Sequence, residues 1–375
     1  MKKIKILHIQ ETIGSGGVER RRLSLAKYLD KDIFVQKFVC TIAKGNIPDE
    51  IRAEGHEVIS IGKLQSPFQW SQHKKIQDII DDYQPDIIHG AVFEGVTMAA
   101  INGFVKRVPI IIIEETSDPQ NRSWKGNLLI RFFAKLSNIV IGVSPAVTEE
   151  YLLRKIRLNP KKVQLVNNGV AVPQELSEIV INETRAYWEI AKDDFVIGSV
   201  GRMLDDGNKR FSDLIKSFAK FAEDKEKVKL LLIGDGLERV NYEKLVKELK
   251  IAKKVIFAGY QSDVTAFYTM MNVFALVSRN ESFGLVVAEA MLNRLPVVAT
   301  KVGGMKYIVD DQQTGFLVEP FQVDEIAEKF ETLYLNRDLC KKMGDHGFEK
   351  AMSHYTEDTY VNNIKKLYLD ASKNI

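Results

Sequence analysis

Cysteine and long apolar runs are the two features that this sequence has least of. Only Cys40 and Cys340 occur among 375 residues, and they lie far apart, so neither a disulfide framework nor a CxxC metal site is expected. No apolar run reaches the roughly 18 residues that a membrane-spanning helix needs. The start of the chain turns polar at Gln10, too early for the core of a signal peptide, and a cytoplasmic location is therefore expected.

The composition indicates a globular protein with two domains. Hydrophobic residues make up 45% and charged residues 27% of the chain, which excludes a disordered protein. The length exceeds that of one ordinary core. Charge is uneven, with 25 basic against 18 acidic residues through Val172 and 28 against 32 after it. This excess suits an anionic surface or a phosphate-bearing substrate and is too modest to indicate nucleic-acid binding.

Short β-branched runs alternate with amphipathic stretches along both halves of the chain. This pattern predicts the α/β class, with two Rossmann-like doubly wound domains. We expect domains at residues 1–172 and 195–355, a linker at 173–194 with room for one helix, and a C-terminal crossover helix at 356–375 that packs back across the domains. The predicted strands are 4–9, 34–40, 87–89, 110–113, 163–166, 195–200, 229–233, 255–257, 273–277 and 296–300, and the predicted helices are 18–28, 76–83, 211–222, 240–249, 284–293, 324–335 and 357–372.

Two cations follow the first predicted strand of the second domain. Arg202 comes directly after the strand, at the carboxyl edge of a parallel sheet, where α/β folds bind ligands. Lys209 lies seven residues later, just before a helix. A guanidinium, an ammonium and the amides of a helix N-terminus together suit a diphosphate. A solvated loop would be the other explanation of the two cations.

A second segment of this domain, residues 278–291, joins an apolar strand to a helix. The turn from Glu281 to Gly284 aims backbone amides at any anion bound at the start of the helix. Glu281 can accept hydrogen bonds from sugar hydroxyls, and Glu289, about one and a half turns along, can reach a ribose diol.

The order of these residues resembles the signature of the retaining GT-B glycosyltransferases of family 4. Seven residues separate Glu281 from Glu289, and Gly303-Gly304 follows the next strand. The other motifs that carry the resemblance are Gly16-Gly17-Val18-Glu19-Arg20, Asn168-Gly169-Val170, Gly201-Arg202 with Lys209, Gly234-Asp235-Gly236, Phe257-Ala258-Gly259-Tyr260 and Phe283-Gly284-Leu285. The resemblance spans nearly the whole chain and implies a nucleotide-sugar-dependent transferase whose two domains face a central cleft.

The resemblance also implies roles for individual residues. Arg202 and Lys209 would bind the donor diphosphate, Glu281 the sugar hydroxyls, and the base would lie near Gly234 and Tyr260. Glu289 would bind the ribose. The implied catalytic residues are Glu281, Arg202, Lys209 and His89, and the implied donor-binding residues are Gly16, Gly17, Arg202, Lys209, Gly234, Tyr260, Glu281, Ser282, Phe283, Gly284, Leu285 and Glu289.

The sequence departs from the family pattern at three places. The spacing from Arg202 to Lys209 is two residues longer than usual, through Asp205-Asp206-Gly207, and Arg210 stands where glycine is common. Lys306 and Tyr307 stand where a proline and a glutamate are frequent. Ala91 replaces the second histidine that many relatives have after the equivalent of His89.

The front of the chain carries Gly14-Ser15-Gly16-Gly17 between a strand and a helix. A dinucleotide fingerprint would need glycine where Glu19 stands, which argues against a nicotinamide cofactor. The resemblance implies instead that Gly16 and Gly17 let the loop approach the donor; glycines of a simple tight turn are the alternative.

Three side chains follow strands of the first domain at its carboxyl edge. His89 either approaches the donor sugar or is a buried structural histidine. Glu94 and Glu115 are acceptor candidates, or else solvated loop acids.

Trp124-Lys125 and residues 128–136 combine aromatic, apolar and basic residues, which fits either contact with the inner face of a membrane or ordinary core with lysines that reach solvent.

The resemblance implies transfer with retention of the anomeric configuration and without a metal or other cofactor. The departing diphosphate oxygen would take the acceptor proton while the cations stabilise its charge. We expect a UDP or GDP donor of a hexose and a glycan or lipid-linked acceptor, in bacterial surface polysaccharide or lipopolysaccharide assembly, and no nucleic-acid partner. A nucleotide-sugar 2-epimerase on the same fold and a non-catalytic sugar-binding module are the alternatives.

Overall fold

The computed structural model describes residues 2–14, 16–116, 122–204 and 207–373. The chain divides into two compact units, the first formed by Met1–Gly169 with Glu357–Ile375 and the second by Val170–Thr356. Each unit holds one sheet in which all paired strands run parallel. The predicted α/β class with two doubly wound domains is therefore confirmed.

The first unit has seven strands in the order β3-β2-β1-β4-β5-β6-β7. Isoleucine and valine are the most frequent of their buried residues, since both faces of a parallel sheet are covered by helices. Its elements are β1 Ile4–Ile13, α1 Gly17–Tyr28, β2 Phe34–Ala43, α2 Ile47–Ala53, β3 Glu57–Ser60, α3 Trp70–Tyr83, β4 Ile87–Ala91, α4 Val92–Val105, β5 Ile110–Glu115, α5 Trp124–Leu136, β6 Ile139–Gly142, a π-helix Ala146–Lys155, a 3₁₀ turn Pro160–Lys162 and β7 Val163–Leu165.

The second unit has six strands in the order β10-β9-β8-β11-β12-β13. Two apolar clusters, one on each face of the sheet, form its core. Its elements are α6 Glu178–Tyr187, β8 Phe195–Val200, α7 Phe211–Phe221, β9 Val228–Ile233, α8 Arg239–Glu248, a 3₁₀ turn Ala252–Lys254, β10 Val255–Gly259, α9 Thr265–Met270, β11 Val273–Leu276, α10 Leu285–Leu292, β12 Val297–Thr300, α11 Met305–Ile308, β13 Gly315–Val318, α12 Val323–Leu335 and α13 Arg337–His354.

The C-terminal helix α14, Glu357–Ser372, is part of the first unit. Tyr360 and Tyr368 are among its buried residues and pack in the cluster that also contains Ile6 and Leu25. Ser24 donates a hydrogen bond of 2.6 Å to the Glu357 carboxylate. Helix α14 therefore forms part of the core of the first unit.

The unit boundaries differ from the predicted domains, because the first unit ends at Gly169 instead of residue 172 and also contains Glu357–Ile375. Residues 173–194, which we expected to form a linker, belong to the second unit and contain α6. The guanidinium of Arg185 on α6 donates a hydrogen bond of 3.1 Å to the Met270 carbonyl at the end of α9. None of the residues of α6 is buried, so this helix lies on the surface of the second unit.

Two glycines let α4 lie directly on the first sheet. A Cβ added to Gly90 would lie 2.3 Å from the Gly95 carbonyl oxygen, and one added to Gly95 would lie 2.4 Å from that of Ile9. Both distances exclude a side chain. The helix starts immediately after β4, and Val92 at the junction has a φ of 62°. Because a β-branched residue rarely adopts this conformation, the turn is strained at the carboxyl edge of the sheet.

No helix in the described part of the chain is both long enough and apolar enough to cross a membrane.

Candidate functional site

The strand order of the second sheet reverses between β8 and β11, which are neighbours although β9 follows β8 in the chain. Parallel sheets bind ligands outside the carboxyl ends of the strands at such a switch point. The loops that leave these two strands are bonded to each other through Asn208. Its backbone carbonyl accepts from the Arg279 amide at 2.7 Å, and its side-chain oxygen accepts from the Asn280 amide at 3.2 Å.

The next residue on each loop forms an ion pair. Lys209 Nζ lies 2.7 Å from Glu281 Oε2, with 25% of the lysine side chain and 17% of the carboxylate side chain exposed. The structure thus brings together two of the predicted donor-site residues, and their roles in binding stay predictions. Arg202, at the start of the same loop as Lys209, is exposed, and within the described residues it has no ion-pair partner. Asp205 and Asp206, between these cations, lie outside the described residues.

The turn after Glu281 is shaped by glycines. Gly284, with φ 105°, ends the turn and precedes α10. Gly304 N donates a hydrogen bond of 2.9 Å to the Glu281 carbonyl, and a Cβ on Gly303 would lie 1.8 Å from that same oxygen. Within the described residues the amides of Phe283 and Gly284 donate no hydrogen bond to the backbone outside helices and strands. Two N–H groups of the turn that follows Glu281 therefore have no backbone acceptor among these residues, as at an anion site.

The other predicted donor residues of the second unit lie on α10 and in the loops that follow β9, β10 and β11 of this sheet. Glu289 on α10 accepts a hydrogen bond of 2.7 Å from the hydroxyl of buried Tyr268, which fixes the carboxylate. Gly234, at φ 130°, comes so close to the loop after β8 that a Cβ would lie 1.9 Å from the Gly201 carbonyl oxygen. Tyr260, directly after β10, is 65% exposed. Ser282, Phe283 and Leu285 complete the turn, and the Phe283 side chain is buried as an apolar anchor.

The glycine loop of the first unit follows β1, next to the switch point between β1 and β4. Gly16 is exposed and Gly17 starts α1, whereas Ser15 lies outside the described residues. Thr12 Oγ1 donates a hydrogen bond of 3.0 Å to Glu19 Oε1, so the glutamate side chain is folded back over this loop. A Cβ on Gly16 would meet that carboxylate at 2.4 Å.

Behind this loop lies a buried ionic network. Arg22 Nη2 donates to Glu114 Oε2 at 2.7 Å, and Arg21 Nη2 lies 3.6 Å from Glu114 Oε1. Burial alone would raise the pKa of the Glu114 carboxyl, but the Arg22 guanidinium and its other partners hold that pKa well below its usual range. The network joins α1, β4, β5 and α14, because Arg22 also contacts the Tyr360 hydroxyl at 3.5 Å.

The predicted catalytic role of His89 is not supported by this geometry. Its side chain is 0% exposed, with Nδ1 2.6 Å from the Tyr368 hydroxyl and Nε2 3.3 Å from Glu114 Oε2. Burial and the Arg22 charge lower the pKa of His89 to about 4, so the imidazole is neutral at pH 7. His89 belongs to the interior of the first unit and does not reach its surface, which is the structural alternative of the two that the sequence left open.

The two acceptor candidates differ in environment. Glu115 is 4% exposed and its Oε1 accepts from Arg122 Nη2 at 2.8 Å, so it is held in a buried ion pair. Glu94, in the first turn of α4, is half-buried. Burial, followed by the charges of Glu94 and Glu19, raises the pKa of Glu11. Among the described residues, no group of three histidine, cysteine or acidic side chains could hold a metal ion.

Sequence reasoning missed Asn208 and the strained Val92. The two-residue extension between Arg202 and Lys209 was the available signal for Asn208, because it shows that this loop is built differently from the family pattern. For Val92 the sequence offers no signal, since valine is a common strand residue and its φ follows from the packing of α4.

Two family models match this chain. A model described as Glycosyl transferases group 1 matches residues 180–350, and one described as Glycosyltransferase Family 4 matches residues 15–172. The first match lies entirely within the second unit, and the second match covers most of the first unit.

Individual relatives and solved structures are similar over different lengths. N-acetyl-alpha-D-glucosaminyl L-malate synthase of Bacillus anthracis is 29% identical over 244 residues, 65% of this chain and 62% of that protein. The capsular polysaccharide biosynthesis glycosyltransferase CapM of Staphylococcus aureus is 32% identical over 187 residues, 48% of each protein. The chain thus spans less than two thirds of either relative. The crystal structure of Anabaena HepE in complex with UDP matches 98% of this chain and 100% of that chain with a TM-score of 0.86 at 22% identity, which shows the fold.

Proposed function

Because this chain belongs to the group 1 glycosyl transferases, in glycosyltransferase family 4, we propose that it transfers a hexose-type sugar from a UDP- or GDP-sugar to a glycan or lipid-linked acceptor. We infer further that transfer retains the anomeric configuration and needs no metal. These finer statements rest on the family resemblance together with the charges at the β8/β11 switch point of the second unit.

One observation carries the proposal. Lys209 is held 2.7 Å from Glu281 on the adjoining loop, the turn after Glu281 has two amides without a backbone acceptor in the described part of the chain, and Arg202 lies on the same loop as the lysine. A diphosphate placed here would replace the Glu281 carboxylate as the anion beside Lys209. The carboxylate would then be available to accept hydrogen bonds from the hydroxyls of the attached sugar.

This arrangement supports a front-face transfer. The bond between the anomeric carbon and the diphosphate oxygen breaks, and the acceptor oxygen bonds to that carbon on the same face. The acceptor hydroxyl gives its proton to the departing diphosphate oxygen. Arg202, Lys209 and the amides at the start of α10 stabilise the charge that develops on the leaving group. The two cations do the work that a divalent metal does in other transferases.

The nucleoside part is expected along the neighbouring strand ends. Glu289, oriented by Tyr268, would accept from the ribose diol, and the base would lie beside Gly234 and Tyr260. The likeness of the fold to HepE, which was crystallised with UDP and with UDP-glucose, supports a uridine donor as the first to test. The similarity to CapM supports an acceptor in surface polysaccharide assembly.

A thermal-shift titration with UDP-, GDP-, ADP- and dTDP-sugars tests the donor site, because a ligand that binds only the folded state raises the apparent Tm. We expect one nucleotide series to stabilise the wild type and Arg202→Ala to lose the response. Glu281→Ala should keep the response to the free nucleoside diphosphate and lose the additional shift from the sugar. Arg154→Ala, a change at an exposed arginine of the first unit, is the matched control.

Three outcomes would contradict the proposal. A wild type that is stabilised by no nucleotide sugar would favour a sugar-binding module that uses no nucleotide. Conversion of the donor sugar in the absence of any acceptor would identify a 2-epimerase. Loss of transfer in the presence of a chelator, with recovery on addition of a divalent cation, would overturn metal independence.

A further inference from the structure

Helix α5 presents an apolar stripe to solvent. Trp124, Leu128 and Phe132 recur at every fourth residue, on one face of the helix, and are 68%, 53% and 45% exposed. Ile130 and Phe133, on the other side, are buried in the core of the first unit. The stripe therefore lies outside the core, whereas ordinary core packing was the alternative that the sequence left open.

Exposed basic residues flank this stripe. Lys125, Arg131 and Lys135 lie on α5 itself, and from residue 123 to 165 the chain has eight basic residues against two acidic ones. The basic residues at 154, 155, 157 and 161 lie on or just after the π-helix, which packs beside α5 in the same core cluster. Within the described residues none of the three α5 cations forms an ion pair, so their charge is directed at solvent.

Hydrogen bonds from the π-helix and from Lys162 hold α5 in place. The Tyr151 hydroxyl on the π-helix donates a hydrogen bond of 2.8 Å to Asn127 Oδ1. Lys162 Nζ donates to the carbonyl of Ser137 at 2.6 Å and lies 3.3 Å from that of Ala134, which caps the end of the helix with a cation. The exposed side chains are therefore held on a preformed helix, and no folding step is needed to present them.

We propose that this α5 face, formed by Trp124, Leu128, Phe132, Lys125, Arg131 and Lys135, docks on the surface of an anionic phospholipid bilayer. Tryptophan and phenylalanine insert favourably at the boundary between headgroups and acyl chains, and the basic residues beside them attract anionic headgroups. A nucleic acid would match the charge but leave the apolar stripe unused. An apolar protein partner would match the stripe but leave the excess of cations without counter-charges.

The proposal is independent of the donor chemistry, because it concerns a surface of the first unit and its test uses no substrate. The full-length protein is mixed with vesicles of phosphatidylglycerol and phosphatidylcholine in equal parts, or of phosphatidylcholine alone, and binding is measured by flotation. We expect binding to the anionic vesicles only, weakened by salt, and accompanied by a blue shift of tryptophan emission. Trp124→Phe should retain binding and lose most of this shift.

Two triple variants separate the contributions of charge and position. Reversing the three cations, Lys125→Glu, Arg131→Glu and Lys135→Glu, should weaken vesicle binding by on the order of a hundredfold, from the attraction of each basic residue to anionic lipid. The control reverses three exposed lysines of the second unit, Lys192→Glu, Lys341→Glu and Lys342→Glu, which changes the net charge equally. This control should bind almost as the wild type does, and circular dichroism should show all variants folded.

The α5 face is not a bilayer surface if the wild type fails to float with anionic vesicles. Equal loss of binding in both triple variants would also overturn the proposal, because net charge and not position would then explain it. A concentration-dependent dimer in light scattering that disappears in Leu128→Ala, with vesicle binding unchanged in that variant, would assign the face to a second copy of the chain.

Discussion

Asn208 shows how one neutral side chain sets the distance between two charged ones. It is the residue before Lys209, and it bonds to the backbone just before Glu281 through both its carbonyl and its side chain. Two hydrogen bonds of Asn208 therefore join the two loops directly beside the ion pair, in which Lys209 Nζ and Glu281 Oε2 are 2.7 Å apart. Positioning of this kind matters because catalytic electrostatics depend on groups that are already in place before the reaction.

Replacing Asn208 by alanine should loosen this connection without removing a charge. We expect Asn208→Ala to lower kcat/KM for the donor about tenfold, the equivalent of roughly one to one and a half kcal/mol for one hydrogen bond. Steady-state kinetics with the donor identified by thermal shift would measure the effect. Asn241→Ala, on exposed α8, is the control and should be neutral. Equal kinetics of both variants would show that Asn208 does not position the site.

Glu114 is the counter-charge of a buried arginine, so its replacement should cost stability more than activity. Glu114→Gln leaves Arg22 without a carboxylate, which we expect to lower the free energy of unfolding by about 3 kcal/mol or more at pH 7. Glu248→Gln, whose exposed carboxylate lies 3.8 Å from Lys244 Nζ, should change it by less than about 0.5 kcal/mol. Urea unfolding of the two variants makes the comparison, and similar losses would contradict a special role of the buried pair.

The same network predicts the pH dependence of stability. The pKa of His89 is depressed to about 4 in the fold, so the unfolded chain gains that proton first as pH falls, and stability should decline from about pH 6.5. The depressed pKa of Glu114 adds a loss below its ordinary pKa of 4.5. Urea midpoints across this range measure both, and a stability that stays level between pH 6.5 and 4 would contradict the burial of a neutral His89.

The places in the fold of most predicted donor-site residues could be predicted from the sequence, because these residues follow strands within short local motifs; their roles in binding stay predictions. The environments of His89 and Asn208 could not be predicted. The hydroxyl that contacts His89 belongs to Tyr368, 279 residues later, and the amides that Asn208 bonds belong to a loop 72 residues away at Asn280. Contacts between residues so far apart in the chain produce no local sequence pattern. Only the folded structure shows that His89 is buried and that Asn208 bridges two loops.

At the scale of elements, the turn between β11 and α10 rests on the loop after β12. Gly303 has φ 45°, and a Cβ there would lie 1.8 Å from the Glu281 carbonyl oxygen. A side chain at this position must displace the turn that carries Glu281. Gly45 is also at positive φ, but the place that its Cβ would take is open, with no atom within 4 Å. Alanine at Gly45 would therefore introduce backbone strain alone, whereas alanine at Gly303 would introduce backbone strain and a steric clash.

We expect Gly303→Ala to abolish the stabilisation of the protein by donor, since it displaces the anion-binding turn. Gly45→Ala should cost only about 1–2 kcal/mol of stability from its left-handed backbone and leave the donor response intact. Thermal shift with and without the donor measures both variants. A donor response in Gly303→Ala equal to that of the wild type would show that the turn tolerates the displacement.

Helix α14 gives a second prediction at this scale, because it buries Tyr368 completely in the first unit. Tyr368→Ala should lower the free energy of unfolding by about 3–5 kcal/mol, as large-to-small changes of aromatic core residues do. Tyr187→Ala, at a side chain that is 78% exposed, should be nearly neutral. A similar urea midpoint for the two variants would contradict the packing of α14 in this core.

The sequence predicted α14 well, with both ends of the helix at the residues observed, because its buried positions recur with a clear helical period. It predicted α6 poorly, since that helix buries no residue. The period of apolar residues reports the burial of an element, and an element that lies on the surface of a unit gives little signal. The predicted strand ends differ from the observed ones by a few residues for the same reason. The predicted first strand ended at residue 9, whereas β1 continues through Glu11 and Thr12, which are only half-buried.

At the scale of the whole molecule, the second unit is one continuous segment and the first is not. Residues 170–356 contain both apolar clusters of the second sheet, so we expect this fragment to fold alone and to keep a thermal response to the free nucleoside diphosphate. Residues 1–169 should not fold cooperatively unless a peptide of residues 357–375 is added. Calorimetry of the fragments tests this, and a cooperative transition of 1–169 by itself would contradict it.

The place of α14 also sets an order of events during synthesis. A ribosome that has produced the first 169 residues has made every strand of the first sheet but not the helix whose Tyr360 and Tyr368 complete the core on one side of it. The second unit is synthesised next, and it can fold before the core of the first unit is complete. A chain that ends before residue 357 would therefore retain the complete second unit and lack the part of the first unit's core that Tyr360 and Tyr368 provide.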